Sequence, residues 1–199
     1  GERITPDMYI RAFLACRQEI RRRPGHAEDQ VIPAAIGPWN VQTPYPANPS
    51  GDWILYFRDV LVGLQGELDG IALHTYARDA NPANIVSELK MGPPFQHRRS
   101  MFRTYIDFME AIPTALRHLP VYITETDQNV AWENVNRGWI QQAYAEIHRW
   151  NSDPTHQKIR SLILYRWEQH YGDIWYIRGK NEVINDFRAA LQRDYRWYP

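Results

Sequence analysis

The chain has 199 residues, 44% of them hydrophobic, and its 23 Lys plus Arg balance 23 Asp plus Glu, so the formal net charge is zero. That balance argues against a nucleic acid or an acidic membrane surface as the main partner. No apolar run approaches the roughly 20 residues that span a bilayer, and no signal peptide is visible.

One sizeable core and a single domain over residues 1–199 are expected. The single cysteine, Cys16, cannot form an internal disulfide and reads as a small apolar residue in a helical pattern. The compartment stays open between cytoplasmic and secreted. Eight Trp and twelve Tyr are a heavy aromatic load, suited to packing and equally to stacking on sugar rings. The sequence starts Gly-Glu-Arg rather than with Met, which fits a processed chain, an expression product or a segment of something longer.

In chain order, Thr5-Pro6-Asp7 opens a helix, with Thr as N-cap and Pro at the first helical position. Ile10, Phe13, Leu14 and Ile20 follow at helical spacing, and Arg21-Arg22-Arg23-Pro24-Gly25 closes it. Val31–Gly37 is a short apolar run that predicts a strand, with Trp39 and Asn40 at its exit. Residues 41–50 form a loop. Trp53, Tyr56, Phe57, Val60, Leu61 and Leu64 then recur with the period of an amphipathic helix.

Gly70–Tyr76 predicts a second strand, and alternation places Ala72, His74 and Tyr76 on one face and Ile71, Leu73 and Thr75 on the other. After a long irregular segment (77–99), Phe102, Tyr105, Ile106, Met109 and Ile112 mark a helix. Val121–Thr126 predicts a third strand, Trp139, Ile140, Ala143, Tyr144, Ile147 and Trp150 a helix face, and Ser161–Trp167 a fourth strand. A helix carrying Val183, Ile184, Phe187, Ala190 and Leu191 ends the chain. One helix followed by four β-loop-α units implies an α/β fold with a parallel sheet. Long loops after the strands and short ones before them give it the (β/α) TIM-barrel type.

In such folds chemistry sits at the carboxyl ends of the strands. The predicted exits hold Trp39 and Asn40, then His74 and Tyr76, then Glu125 with Asp127 and Gln128, then Trp167 with Glu168. A carboxylate among hydrogen-bonding rings and indoles is the inventory of a site for a neutral polyhydroxy ligand. A glycosidase uses one carboxylate to attack or stabilise an oxocarbenium-like centre, a second as proton donor, and aromatic walls. His74 and Tyr76 could both aim at Glu125 from the neighbouring strand and keep it ionised.

Each residue also has a plain structural reading: Glu125 as a rim salt bridge, His74 and Tyr76 as satisfied core polar groups, Trp39 and Trp167 as packing. Asp127 would then be a turn or cap residue, Glu168 a rim charge, and His170 a loop residue. No Gly-x-Ser-x-Gly elbow, phosphate loop or dinucleotide fingerprint occurs, and no HExxH or Cys pair supports a metal built from His74, Glu125 and His170. No cofactor and no metal are expected.

Val121-Tyr122-Ile123-Thr124-Glu125-Thr126 after Leu-Pro, with Leu73-His74-Thr75-Tyr76 before it and Tyr165-Arg166-Trp167 after it, resembles the clan A glycoside hydrolases. These are (β/α)8-barrel enzymes of the cellulase and β-glycosidase kind. The resemblance implies a retaining glycoside hydrolase acting on an oligo- or polysaccharide, represented by strands five to eight of the barrel. It makes Glu125 the nucleophile at the end of strand seven, His74 or Tyr76 its strand-six support, and Trp167 the floor of the sugar subsite. Trp39, Asn40, Asp127 and Glu168 would be further substrate contacts.

The family's acid/base Glu, in an Asn-Glu-Pro or similar motif after strand four, has no counterpart, and the only Asn-Glu, Asn181-Glu182, opens the last helix. The isolated chain is therefore expected to be inactive, with Glu168 the best-placed substitute. Four strands leave two open edges, which a missing N-terminal half or self-association would cover. The alternative is a non-catalytic carbohydrate-binding or scaffold domain derived from such a barrel. The loops 41–50, 77–99 and 168–180 would set the sugar and linkage.

Overall fold

The computed structural model describes residues 3–170 and 172–196. The first helix, α1 (Pro6–Arg22), begins as its sequence dictates, with Pro at the first position, Asp7 in the first turn and Arg21 and Arg22 in the last. Thr5 stands at the N-cap, but its hydroxyl makes no cap bond; the helix is started by the Tyr9 N–H donating to the Thr5 carbonyl. Arg17 and Arg21 reach from α1 to the Asp69 carboxylate, which also accepts the Val31 N–H at 2.8 Å.

The sequence predicts a strand over Val31–Gly37, but the structure has none there. Pro33 and Pro38 bring no N–H to a ladder. The segment's donors go elsewhere: Val31 to Asp69 and Ala34 to the Tyr9 hydroxyl at 2.6 Å. It runs as an irregular strap from α1 toward Trp39.

Helix α2 (Trp53–Gly63) is capped by Asp52, whose carboxylate accepts the Ile54 N–H at 2.8 Å. The other Asp52 oxygen takes two bonds from Arg98, at 2.9 and 2.8 Å, so the loop before the next helix is fastened to the start of α2.

Three parallel strands follow: β1 (Ile71–Tyr76), β2 (Val121–Asp127) and β3 (Ile159–Leu164), in the order β1-β2-β3. Among the described residues the four expected β/α units are thus three, and β1 and β3 are the edges of the sheet. The fourth predicted strand begins two residues earlier than expected and ends three earlier. Tyr165 still donates to the Thr126 carbonyl at 2.8 Å, but the Arg166 N–H turns to Trp175, and Ile177 and Arg178 pair back on Arg166 and Trp167.

Helix α3 (Thr104–Ala111) packs on β1 and α4 (Trp139–Ser152) on β3. They cover the face that carries Ile71, Leu73, Val121 and Ile123, all fully buried. Two carboxylates join these elements. Glu146 of α4, with 1% of its side chain exposed, is held by Arg103, Arg149 and the Tyr105 hydroxyl. Asp186 of α5 (Asn181–Leu191) accepts the Ile140 N–H at 2.9 Å and so caps α4 from another helix. It does what Gly138, left-handed at φ 71°, cannot do with a side chain.

Candidate active site

On β1 alternation holds throughout. Ile71, Leu73 and Thr75 face the helices, and the Thr75 hydroxyl donates to the Phe102 carbonyl. Ala72, His74 and Tyr76 occupy the opposite face.

On β2 alternation breaks. Leu73 pairs with Ile123, but the next residue, His74, pairs with Glu125, so Thr124 is an extra residue. The other neighbour shows the same step, since Ile123 pairs with Leu162 and Thr126 with Leu164. Thr124 is therefore a β-bulge against both flanking strands. Were Thr124 instead paired as an ordinary strand residue, Glu125 and Asp127 would keep the parity of Val121 and Ile123 and point into the helix-covered core. With the bulge, Thr126 takes the buried position and Glu125 and Asp127 turn to the face of His74 and Tyr76.

There the Tyr76 hydroxyl donates to Glu125 Oε1 and lies 3.0 Å from His74 Nδ1. A phenol has one hydrogen. If it goes to the Glu125 carboxylate, His74 must donate from Nδ1 to the phenol oxygen, and Nε2 is left as the acceptor. The three side chains form a line, His74 to Tyr76 to Glu125, with His74 acting on Glu125 through Tyr76. Glu125 Oε2 takes no hydrogen bond from any described residue.

Electrostatics fits that line. Burial favours the neutral ring and pulls the His74 imidazole below its ordinary value, and the Glu125 charge offsets this only in part. Burial and the bond to Glu125 push the Tyr76 phenol upward, so it remains a donor. Asp127, 5% exposed, is pushed up to about 6, chiefly by burial, with the Glu125 charge adding and the Asn129 N–H opposing.

Trp39 packs on the Tyr76 ring, centroids 6.3 Å apart. Its backbone is left-handed, φ 62°, which is strained for an indole. The Trp39 Nε1–H donates to the Arg99 carbonyl at 3.2 Å, and the Arg78 guanidinium lies 4.5 Å over its ring. Trp132, fully inside, donates to the Tyr165 carbonyl at 2.8 Å and fixes the exit of β3.

The structure thus gathers His74, Tyr76, Glu125, Asp127 and Trp39. No hydrogen bond or ring contact joins the other predicted residues to them. The Asn40 side-chain oxygen accepts the Gln42 N–H, and the residue lines a hollow of about 270 Å³ with Ile36, Trp53 and Tyr56. Trp167, 52% exposed, lines a second hollow of about 270 Å³ with Leu162, Leu164, Ile177 and Phe187. Glu168 is exposed and gives both oxygens to Arg178 at 2.9 Å. Thr124 and Arg78 were not anticipated; Arg78 is two residues past Tyr76, so the alternation that paired His74 with Tyr76 also points to it. Among the described residues no group of three His, Cys, Asp or Glu forms a metal-ligating set.

No protein-family model matches the chain. No curated protein matches it either. Among solved structures the chain is similar to the crystal structure of a GH128 (subgroup VI) exo-β-1,3-glucanase from Aureobasidium namibiae, with 11% identity and a TM-score of 0.43. The match covers 88% of this chain and 54% of that one, so this chain spans about half the length of the glucanase chain. A likeness of that degree fixes neither barrel nor activity, and the functional reading rests on side-chain geometry.

Proposed function

We propose that the chain carries the nucleophile side of a retaining glycoside hydrolase, on strands that belong to a (β/α) barrel of the clan A kind and within one domain. The observation that supports this most is the bulge at Thr124, which turns a half-buried glutamate out of the core and onto a tyrosine–histidine pair. Bulges beside active sites commonly re-aim a side chain in this way.

In this reading Glu125 Oε2 attacks the anomeric carbon while Tyr76 holds Oε1 and neutral His74 holds Tyr76. The glycosyl–enzyme ester forms as the bond to the leaving oxygen breaks, and water later cleaves it. Trp39 offers an aromatic wall, and Trp167, Asn40 and Glu168 would meet substrate farther out. The proton donor has to flank the scissile bond from the other side. Asp127 follows Glu125 on the same face of the same strand, and Glu168 is engaged by Arg178, so neither fills that role. A missing N-terminal half, or a second copy, would supply it and cover the open edges.

The same shortfall favours a second reading, a carbohydrate-binding domain without turnover. Release of dinitrophenolate from dinitrophenyl glycosides, a leaving group that departs without a proton donor, by the protein and its Glu125→Gln variant, alongside calorimetry with oligosaccharides, separates the two. Turnover lost in the variant supports the enzyme; affinity without turnover in either protein supports the binding domain.

A further inference from the structure

Arg78 stands out among the arginines of this region. Arg98, Arg99, Arg103 and Arg166 each end on a carboxylate: Asp52, Asp107, Glu146 and Asp173 respectively. Arg78 is exposed and has no carboxylate partner among the described residues. It is nevertheless held in place. Its Nε–H donates to the Ser100 carbonyl at 2.9 Å, one Nη2–H meets Met91 Sδ at 3.3 Å, and its Cζ lies over the Trp39 ring. Ser100 is buried, so the anchor is fixed, and the arginine has already given up the rotamer freedom that binding would otherwise cost. Its Nη1 has no acceptor among the described residues.

We propose that Arg78 receives the carboxylate of a uronosyl residue, making the preferred ligand an acidic rather than a neutral oligosaccharide. The proposal rests on the carbohydrate reading of the Glu125 site and adds the substrate class. An oriented guanidinium fork matches the two coplanar oxygens of a carboxylate. Trp39 ties the place to the site, since its ring touches Arg78 and Tyr76 alike. The acidic unit belongs over Trp39 and not at Glu125, where a second negative charge would repel the carboxylate and buried Asp127.

Calorimetry with a tetraglucuronate and with the same molecule after carboxyl reduction to the neutral glucan tests this in the wild type, Arg78→Gln and Arg78→Lys. The wild type is expected to bind the acid form about tenfold tighter, with the preference falling as salt rises. Arg78→Gln should lose the preference, and Arg78→Lys, which keeps charge without the fork, should retain part of it. Thermal unfolding shows that each variant meets the sugars folded; were Arg78→Gln to unfold, loss or retention of the preference is read from Arg78→Lys. Equal binding of both sugars by the wild type, or an undiminished preference in both variants, overturns the role of Arg78 and leaves the carbohydrate reading intact. Binding of neither sugar by the wild type overturns both.

Discussion

His74 of β1 stands in register with Glu125 of β2, while Leu73, one residue earlier, stands in register with Ile123. Thr124 is passed over, and the side chains of the site owe their common face to that omission. A one-residue change in a strand normally sends every later side chain to the wrong face. Here the opposite outcome is expected. Deleting Thr124 leaves Glu125 next to Ile123 and still opposite His74, so the fold should survive with a loss within about 2 kcal/mol, or about 4–8 °C in Tm. Inserting one alanine between Leu73 and His74 gives Thr124 a partner and turns His74, Tyr76 and Glu125 toward the core; that chain should not fold. Circular dichroism melts of both variants check the pair of outcomes.

Tyr76→Phe removes one oxygen and strands two partners. Glu125 Oε1 loses its donor and His74 Nδ1 its acceptor, both half-buried. A destabilisation of about 1–2 kcal/mol is expected from urea unfolding. The His74→Ala variant should cost less, because it leaves the bond from Tyr76 to Glu125 in place.

Asp127 makes stability fall as pH rises. Its carboxyl is pushed up to about 6 in the native chain, above the ordinary 3.8, so between those values the native state holds a proton that the unfolded state has released. Stability should decline through that window and stay lower above it, by about 2–3 kcal/mol. His74 acts in the opposite sense. Its lowered value means the unfolded state gains the proton first, so its contribution, present above the ordinary 6.5, is lost as pH falls below it. Asp127→Asn isolates the first effect, since its amide oxygen still accepts the Asn129 N–H. Urea unfolding from pH 4 to 7 should show the variant gaining most over the wild type at pH 7.

Asp127 also senses Glu125, whose charge helps to raise it. In Glu125→Gln the Asp127 carboxyl should titrate below its wild-type position, as read by carbon NMR of the side-chain carboxyl. An unchanged titration would mean that the two groups do not interact.

Much of this was legible in the sequence where period and chemistry agree. Trp53 to Leu61 and Trp139 to Trp150 repeat with a helical period, and both are buried helix faces. Val31–Gly37 misled because its apolar run ignores Pro33 and Pro38, which cannot feed a ladder. Ser161–Trp167 misled because the apolar run continues past the last pairing at Tyr165, where the chain turns to meet Trp175. The carboxylate at the strand end was visible, and so were Tyr76 and His74, but the face of Glu125 was not. Thr124 is a good strand residue with no mark of a bulge, and only the pairing with β1 and β3 reveals it. Arg78 lay hidden for another reason: its meaning comes from Trp39 and Ser100, which are distant in the chain.

The central claim is that Glu125 attacks a sugar, and an activated 2-deoxy-2-fluoro glycoside tests it most directly. Its dinitrophenyl leaving group departs without a proton donor, so the absent acid does not mask the result. Peptide mass spectrometry after incubation should find the fluorosugar esterified to Glu125 in the wild type and no label in Glu125→Gln. A wild type that stays unlabelled, or label on any other residue, would contradict the account.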